Sequence, residues 1–246
     1  MNDNILVFEI WGKYGMFRKY FTTSSPLSYS FPPRTTIIGI IAAMIGLNRD
    51  SYYEKLSSDK CNVSLEIVNP IDKVKFSTNY VDTKKLKYGT IDGRTRIRCE
   101  YVKNPKYRIY VNFLDQELQQ KFKKILQEKH FQYTISLGIS QHLANIKFVG
   151  EYKIDEKSLS EEITLHSVVR MDFIKNLKII YDEKLFPEYN KDRMLVDFEK
   201  DNDRVPKEYQ DYIYERNGEK GKCILCETDR FFKVSGENFL KNILFM

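Results

Sequence analysis

Residues 5–47, ILVFEIWGKYGMFRKYFTTSSPLSYSFPPRTTIIGIIAAMIGL, constrain this chain more than any other stretch. Ile5–Trp11 has six apolar residues in seven and is rich in β-branched and aromatic types, as a central strand is. Alternation puts Leu6, Phe8 and Ile10 on one face and Val7, Glu9 and Trp11 on the other. Ile37–Leu47 carries no polar side chain, and Pro32-Pro33 before it suits a helix start, where a missing N–H costs little. Eleven apolar residues are too few to cross a bilayer, so the stretch predicts a core helix. Its Gly39, Ala42, Ala43 and Gly46 are small enough for close packing on a sheet.

Between strand and helix lie more than twenty residues without a periodic pattern, and long loops inside compact domains are usually functional. This one carries Lys13, Arg18, Lys19, Thr22, Thr23, Ser24, Ser25 and Arg34, interleaved with Tyr14, Phe17, Tyr20 and Tyr29, and its one nearby acid is Glu9. Cations, hydroxyls and aromatic faces together suit an anionic ligand that bears bases.

The charge distribution extends that reading. Net charge is +6 over 246 residues, but residues 1–150 hold 23 Lys and Arg against 13 Asp and Glu, while 151–246 hold 17 against 21. A basic first part suggests contact with a polyanion, and the acidic second part is then free to meet protein. Four cysteines in a chain this long are no disulfide framework, so a reducing cytoplasm is expected. The first residues lack the basic, apolar and small-residue succession of a signal peptide, and no apolar run is long enough for a membrane span.

Further along, Asp50–Leu56 predicts a helical turn and Cys61–Asn69 a strand ending at Pro70. Lys73–Arg108 is the most basic segment, with eleven cations, among them Arg94, Arg96, Arg98, Lys106 and Arg108, against three acids. Val74–Val81 and Thr95–Val102 read as strands around a turn-rich middle, hence a long protruding hairpin over about 73–108 with Arg96 and Arg98 on one face. Tyr107–Phe113 is a further strand, and Asp115 is placed to cap a helix burying Leu118, Phe122, Ile125 and Leu126. Leu143–Ile154 supplies a fourth strand.

The order strand, helix, strand, inserted hairpin, strand, helix, strand is the β-α-β-β-α-β succession of an α+β, ferredoxin-like fold, which RNA recognition motifs share. We therefore expect a ferredoxin-like domain over residues 1–155 and a β-rich extension over 156–246. The extension's strand-like pieces are His166–Phe173, Arg193–Phe198, Tyr209–Tyr214, Lys222–Glu227 and Arg230–Val234.

The motif W-G-x-x-x-x-F-R (11–18), the run TTSSPLSYSFPPRTTIIGII (22–41), KNPKYRIYV (103–111), YTISLGIS (133–140) and FVGEY (148–152) resemble the fifth CRISPR-associated protein family, of the RAMP superfamily. The resemblance covers about the first 155 residues and is closest to the subtype B branch. It implies a non-catalytic subunit of the type I surveillance complex Cascade. Such a subunit would hold the 5′ handle of the CRISPR RNA and cap the row of backbone subunits. Near the protospacer-adjacent motif of target DNA it would touch the large subunit, with the repeat-processing nuclease as a further partner. On that reading Lys13, Arg18, Lys19, Arg34 and the hydroxyls of Thr22, Thr23 and Ser24 grip the handle. Phe17 and Tyr20 are stacking candidates, and a thumb carrying Arg94, Arg96 and Arg98, with Lys106 and Arg108 at its base, folds over the RNA.

A second reading is a metal-independent ribonuclease. One subtype of the family cuts the repeat with Tyr, Lys and His, and this chain offers Tyr133, Lys129 and His130, with His142 and His166 as further histidines. Lys129-His130 also falls where a helix ends, where cations favour the dipole for structural reasons. Cys223 and Cys226 form a CxxC, but a structural zinc site needs a second such pair or spaced histidines, so no metal or other cofactor is expected. Residues 217–222, NGEKGK, lack the spacing of a phosphate loop and read as a turn.

Overall fold

The computed structural model describes residues 2–81, 93–158, 162–178, 187–199, 204–218 and 224–246. In chain order the first part runs β1 (Asn4–Trp11), β2 (Tyr14–Gly15), β3 (Phe17–Arg18), β4 (Ser28–Tyr29), α1 (Arg34–Ile45), β5 (Cys61–Ile67), β6 (Asp72–Val81), β7 (Arg94–Lys103), β8 (Lys106–Phe113), α2 (Gln116–Glu128) and β9 (Asn145–Ser158). The second part runs β10 (Glu162–Leu165), β11 (Val169–Arg170), β12 (Asn176–Lys178), β13 (Tyr189–Phe198), β14 (Pro206–Glu215), β15 (Ile224–Glu227), β16 (Arg230–Gly236) and β17 (Phe239–Ile243).

A six-stranded antiparallel sheet, in the order β17-β16-β9-β1-β8-β5, is the frame of the molecule. β1 lies inside it, hydrogen-bonded to β8 on one side and β9 on the other. Both helices cover one sheet face, where Leu6, Phe8 and Ile10 pack with Ile37 and Ile41 of α1 and Phe122 and Leu126 of α2. Each such fully buried side chain is worth about 1.5–3 kcal/mol. Gly46 ends α1 with φ 88°, a left-handed geometry that favours glycine. Asp115 caps α2 as its position predicts, its side chain accepting from the N–H groups of Glu117 and Leu118.

The opposite sheet face is closed by the last two strands. Ile5, Val7 and Tyr110 are buried with Ile154, Phe232, Val234 and Ile243, and Phe239 stacks on Tyr152 at 4.2 Å. In an RNA recognition motif the sheet face holds the bases; here protein fills it. The segment 165–168 then ties the two sheet edges together. His166 N–H donates to Asn242 O of β17 at 2.8 Å, and Val168 N–H donates to Leu65 O of β5 at 2.8 Å. The sheet is therefore curled. The expected boundary at residue 155 falls inside β9, which pairs with both β1 and β16.

Asp50–Leu56 contains one helical turn and no longer helix: Leu56 N–H donates to Tyr52 O at 2.9 Å. The hairpin strands β6 and β7 pair from Asp72–Lys103 to Val81–Arg94, and the expected turn around Gly89 and Asp92 lies outside the described residues.

Candidate functional site

The long loop after β1 is strapped down at several points. β3 and β4 pair through Phe17–Tyr29 and Arg18–Ser28, turning residues 19–27 into a projecting tip. Within the tip, Thr22 Oγ1 donates to Lys19 O and accepts from Leu27 N–H, and the exposed Arg18 guanidinium donates to Thr22 O at 2.8 Å. The base of the tip is tied to the hairpin. Glu100 N–H donates to Pro26 O at 2.9 Å, Lys73 Nζ donates to Ser28 O at 2.6 Å, and Lys73 pairs with Glu100.

Strand alternation makes that tie informative. Glu100 shares a hairpin face with Arg98, Arg96 and Arg94, and across the pair lie Ser77, Asn79 and Val81. The loop therefore leans on the same hairpin face that carries the three arginines, all of them exposed. The other face points inward at its base, where Cys99 and Tyr101 pack with Met16. No Asp or Glu occurs between Glu9 and Asp50, so loop and arginines together form a cationic surface interrupted by the paired Glu100.

The second part of the chain braces the loop from the other side. Lys19 Nζ is held by Asp192 of β13, and Asp192 also accepts from Tyr214 at 3.0 Å. Tyr214 is 2.8 Å from Ser30 Oγ, and Tyr29 donates to Arg193 O at 2.9 Å. Burial, with the charge of Asp192 beside it, pushes the Tyr214 and Tyr29 phenols well up, so both stay protonated donors.

Several expected contacts are corrected. Phe17 is 3 % exposed and sits edge-on to Tyr107, so it is a core residue and no stacking surface. Arg34 is buried, bound to Asp197 and to the carbonyls of Leu56 and Cys61, and cannot reach a ligand. Arg108 is turned onto the sheet, where it pairs with Glu9 and Glu66, while half-buried Lys106 pairs with Glu9. Lys13, Arg18, Tyr20, Thr23 and Ser24 remain exposed, while the Thr22 hydroxyl is spent inside the loop. The sequence reading missed Phe21, 60 % exposed beside Tyr20, although its place in the loop was visible. It also missed Asp192, Asp197 and Tyr209, whose distance along the chain left no local signal.

The alternative nuclease set is not assembled by any contact among the described residues. Lys129 caps α2 in a left-handed conformation (φ 54°), and His130 and Tyr133 face solvent. His142 is half-buried, packed against Tyr14 and Tyr101, and desolvation lowers its pKa. Among the described residues, no three His, Cys, Asp or Glu side chains are grouped to hold a metal. Cys226 is buried, its thiol pushed up to about 11 by desolvation, and Cys223 lies outside the described residues. No described helix is long and apolar enough to cross a membrane.

The family model for CRISPR-associated protein (Cas_Cas5) matches residues 5–211. The chain belongs to the Cas5 family. No curated protein sequence matches it. Solved structures share the Cas5 chain's fold at low identity. A CRISPR protein from Archaeoglobus fulgidus superposes with a TM-score of 0.57 at 14 % identity, covering 97 % of this chain and 98 % of that one. A chain of a CRISPR RNA-guided surveillance complex gives 0.53 at 9 % identity, over 86 % and 90 %. A chain of the Type III-B Cmr-beta complex bound to cognate target RNA and AMPPnP gives 0.51 at 11 % identity, over 90 % and 86 %.

Proposed function

We propose that this Cas5-family chain is a non-catalytic, RNA-binding subunit of a type I CRISPR Cascade complex. It holds the 5′ handle of the CRISPR RNA and caps the backbone filament beside the large subunit, near the protospacer-adjacent motif. The observation that carries the reading is the cationic loop tip 18–25 tied at Glu100 to the hairpin face with Arg94, Arg96 and Arg98. Phosphates need cations and free N–H groups there, and unpaired bases need planes to stack on. Membership of the family and the likeness to a chain of an RNA-guided surveillance complex support the same assignment.

We further read β1-α1-β5-β8-α2-β9 as a ferredoxin-like unit, its strands ordered β9-β1-β8-β5, with β6–β7 as an inserted thumb. With the outer sheet face closed by β16 and β17, RNA is bound by the loop and the thumb rather than by the sheet. The test mixes purified protein with a labelled CRISPR repeat RNA in EDTA across a salt series. Intact RNA whose binding weakens steeply with salt is expected. A discrete cut leaving a 5′ handle would make the chain a metal-independent nuclease instead.

A further inference from the structure

Three aromatic rings meet at the loop tip. Tyr20 and Phe21 are 59 % and 60 % exposed, unusual for rings of this size. They touch edge to face, with centroids 5.2 Å apart and planes at 89°. Tyr20 also leans on half-buried Tyr209 of β14 at 5.0 Å and 45°. An edge-to-face pair uses at most one face of one ring, so open ring faces remain in solvent.

What surrounds them narrows the occupant. Lys19 Nζ stands 6.0 Å from the Phe21 centroid, and Arg18 and the hydroxyls of Thr23 and Ser24 are exposed on the same tip. A protein partner would call for a broader apolar patch with a rim of both charge signs. A small ring cluster among cations and hydroxyls, on a tip that itself carries no acid and whose Lys19 is paired with Asp192, matches a strand with an anionic backbone and planar bases. The cluster is also held in place. Lys19 is fixed by Asp192, Thr22 closes the tip, and Tyr209 belongs to a strand paired along its length with β13.

We infer that Tyr20, Phe21 and Tyr209 form a stacking site for unpaired nucleobases of single-stranded RNA, built jointly by the loop tip and β14. The inference rests on the RNA-binding reading above and adds to it where bases, as distinct from phosphates, are held.

Stacking and phosphate contact separate by salt dependence. The full chain and its Tyr20→Ala, Phe21→Ala and Tyr209→Ala variants are titrated with a labelled single-stranded repeat RNA over a salt series. The same titration uses a strand of equal length carrying abasic positions. Each of Tyr20→Ala and Phe21→Ala is expected to weaken binding on the order of tenfold with the salt slope unchanged. Tyr20→Phe keeps the affinity, and the abasic strand binds protein and variants alike. Unaltered affinity in the alanine variants overturns the inference, as does a loss that persists with the abasic strand. Loss of copurifying complex subunits with RNA affinity intact would make the patch a protein contact and also overturn it. If the unsubstituted chain binds no RNA at all, the RNA-binding reading itself fails; if only the variants fail to differ, this inference alone does.

Discussion

Arg34 and Asp197 form a buried ion pair across 163 residues of sequence, joining the first turn of α1 to the end of β13. The guanidinium also donates to Cys61 O at 2.7 Å and Leu56 O at 3.1 Å, and Asp197 accepts from Ser58 N–H at 3.0 Å. Charge deep in a protein costs desolvation, which only a partner and further hydrogen bonds offset. This pair is so equipped except at Arg34 Nε, which is buried without a hydrogen-bond partner, and it fastens the second part of the chain to the helix beneath the loop.

Removing one partner leaves the other charge stranded. Arg34→Met or Asp197→Leu alone is expected to destabilise the fold by about 3–5 kcal/mol. The double substitution should recover a good part of that loss, since apolar residues then fill the space. Urea unfolding of the three variants measures it, and a double variant no better than the singles would contradict this account.

Arg96 and Arg98 are expected to behave oppositely. Both are exposed on β7, so their replacement by Ala leaves stability within about 0.5 kcal/mol. RNA affinity should fall for every sequence tested, and the salt slope should shrink by about 0.7 per lost phosphate contact. Equal slopes in variant and parent would remove these arginines from the interface.

Asp192 offers a test of sign. Removing an acid from a cationic surface ordinarily strengthens RNA binding through simple electrostatics. Here Asp192 fixes Lys19 and accepts from Tyr214, which in turn meets Ser30. Asp192→Asn is therefore expected to weaken RNA binding by about tenfold, the scale of one charge-assisted hydrogen bond. Filter binding at fixed salt decides it, and tighter binding would mean the loop needs no such brace.

These relationships show where the sequence stops being legible. Ile5–Trp11, the apolar helix after Pro33, the Asp115 cap and the hairpin strands are local patterns, and they are found within a few residues of expectation. That Arg96 and Arg98 share a hairpin face follows from alternation alone. Arg34 and Phe17 sit in the same polar loop pattern, yet the structure buries both. Their burial depends on β13 and on Tyr107 of β8, which are contributed by distant segments. The second part was hardest to read because its strands are short and charged. β10, β12 and β17 left no signal, although β17 completes the sheet and covers Arg108 with Phe239 at 5.9 Å.

Glu9 carries a pH dependence with a definite sign. It is 8 % exposed in β1, with Lys106 Nζ at 2.9 Å and an Arg108 nitrogen at 2.8 Å. Burial alone raises its pKa, but the hydrogen bonds and charges of Lys106 and Arg108 outweigh that and leave it below the ordinary 4.5. In acid the unfolded chain therefore takes up this proton before the folded one does. The stabilisation is complete above the ordinary carboxylate value and is lost as pH falls through the lowered one. Glu9→Gln abolishes it, so the gap in urea midpoint between parent and variant should be widest near neutral pH and close as the solution is acidified. A gap that stays constant down the pH series would mean that Glu9 titrates alike in folded and unfolded chains, so that Lys106 and Arg108 no more than offset the cost of its burial.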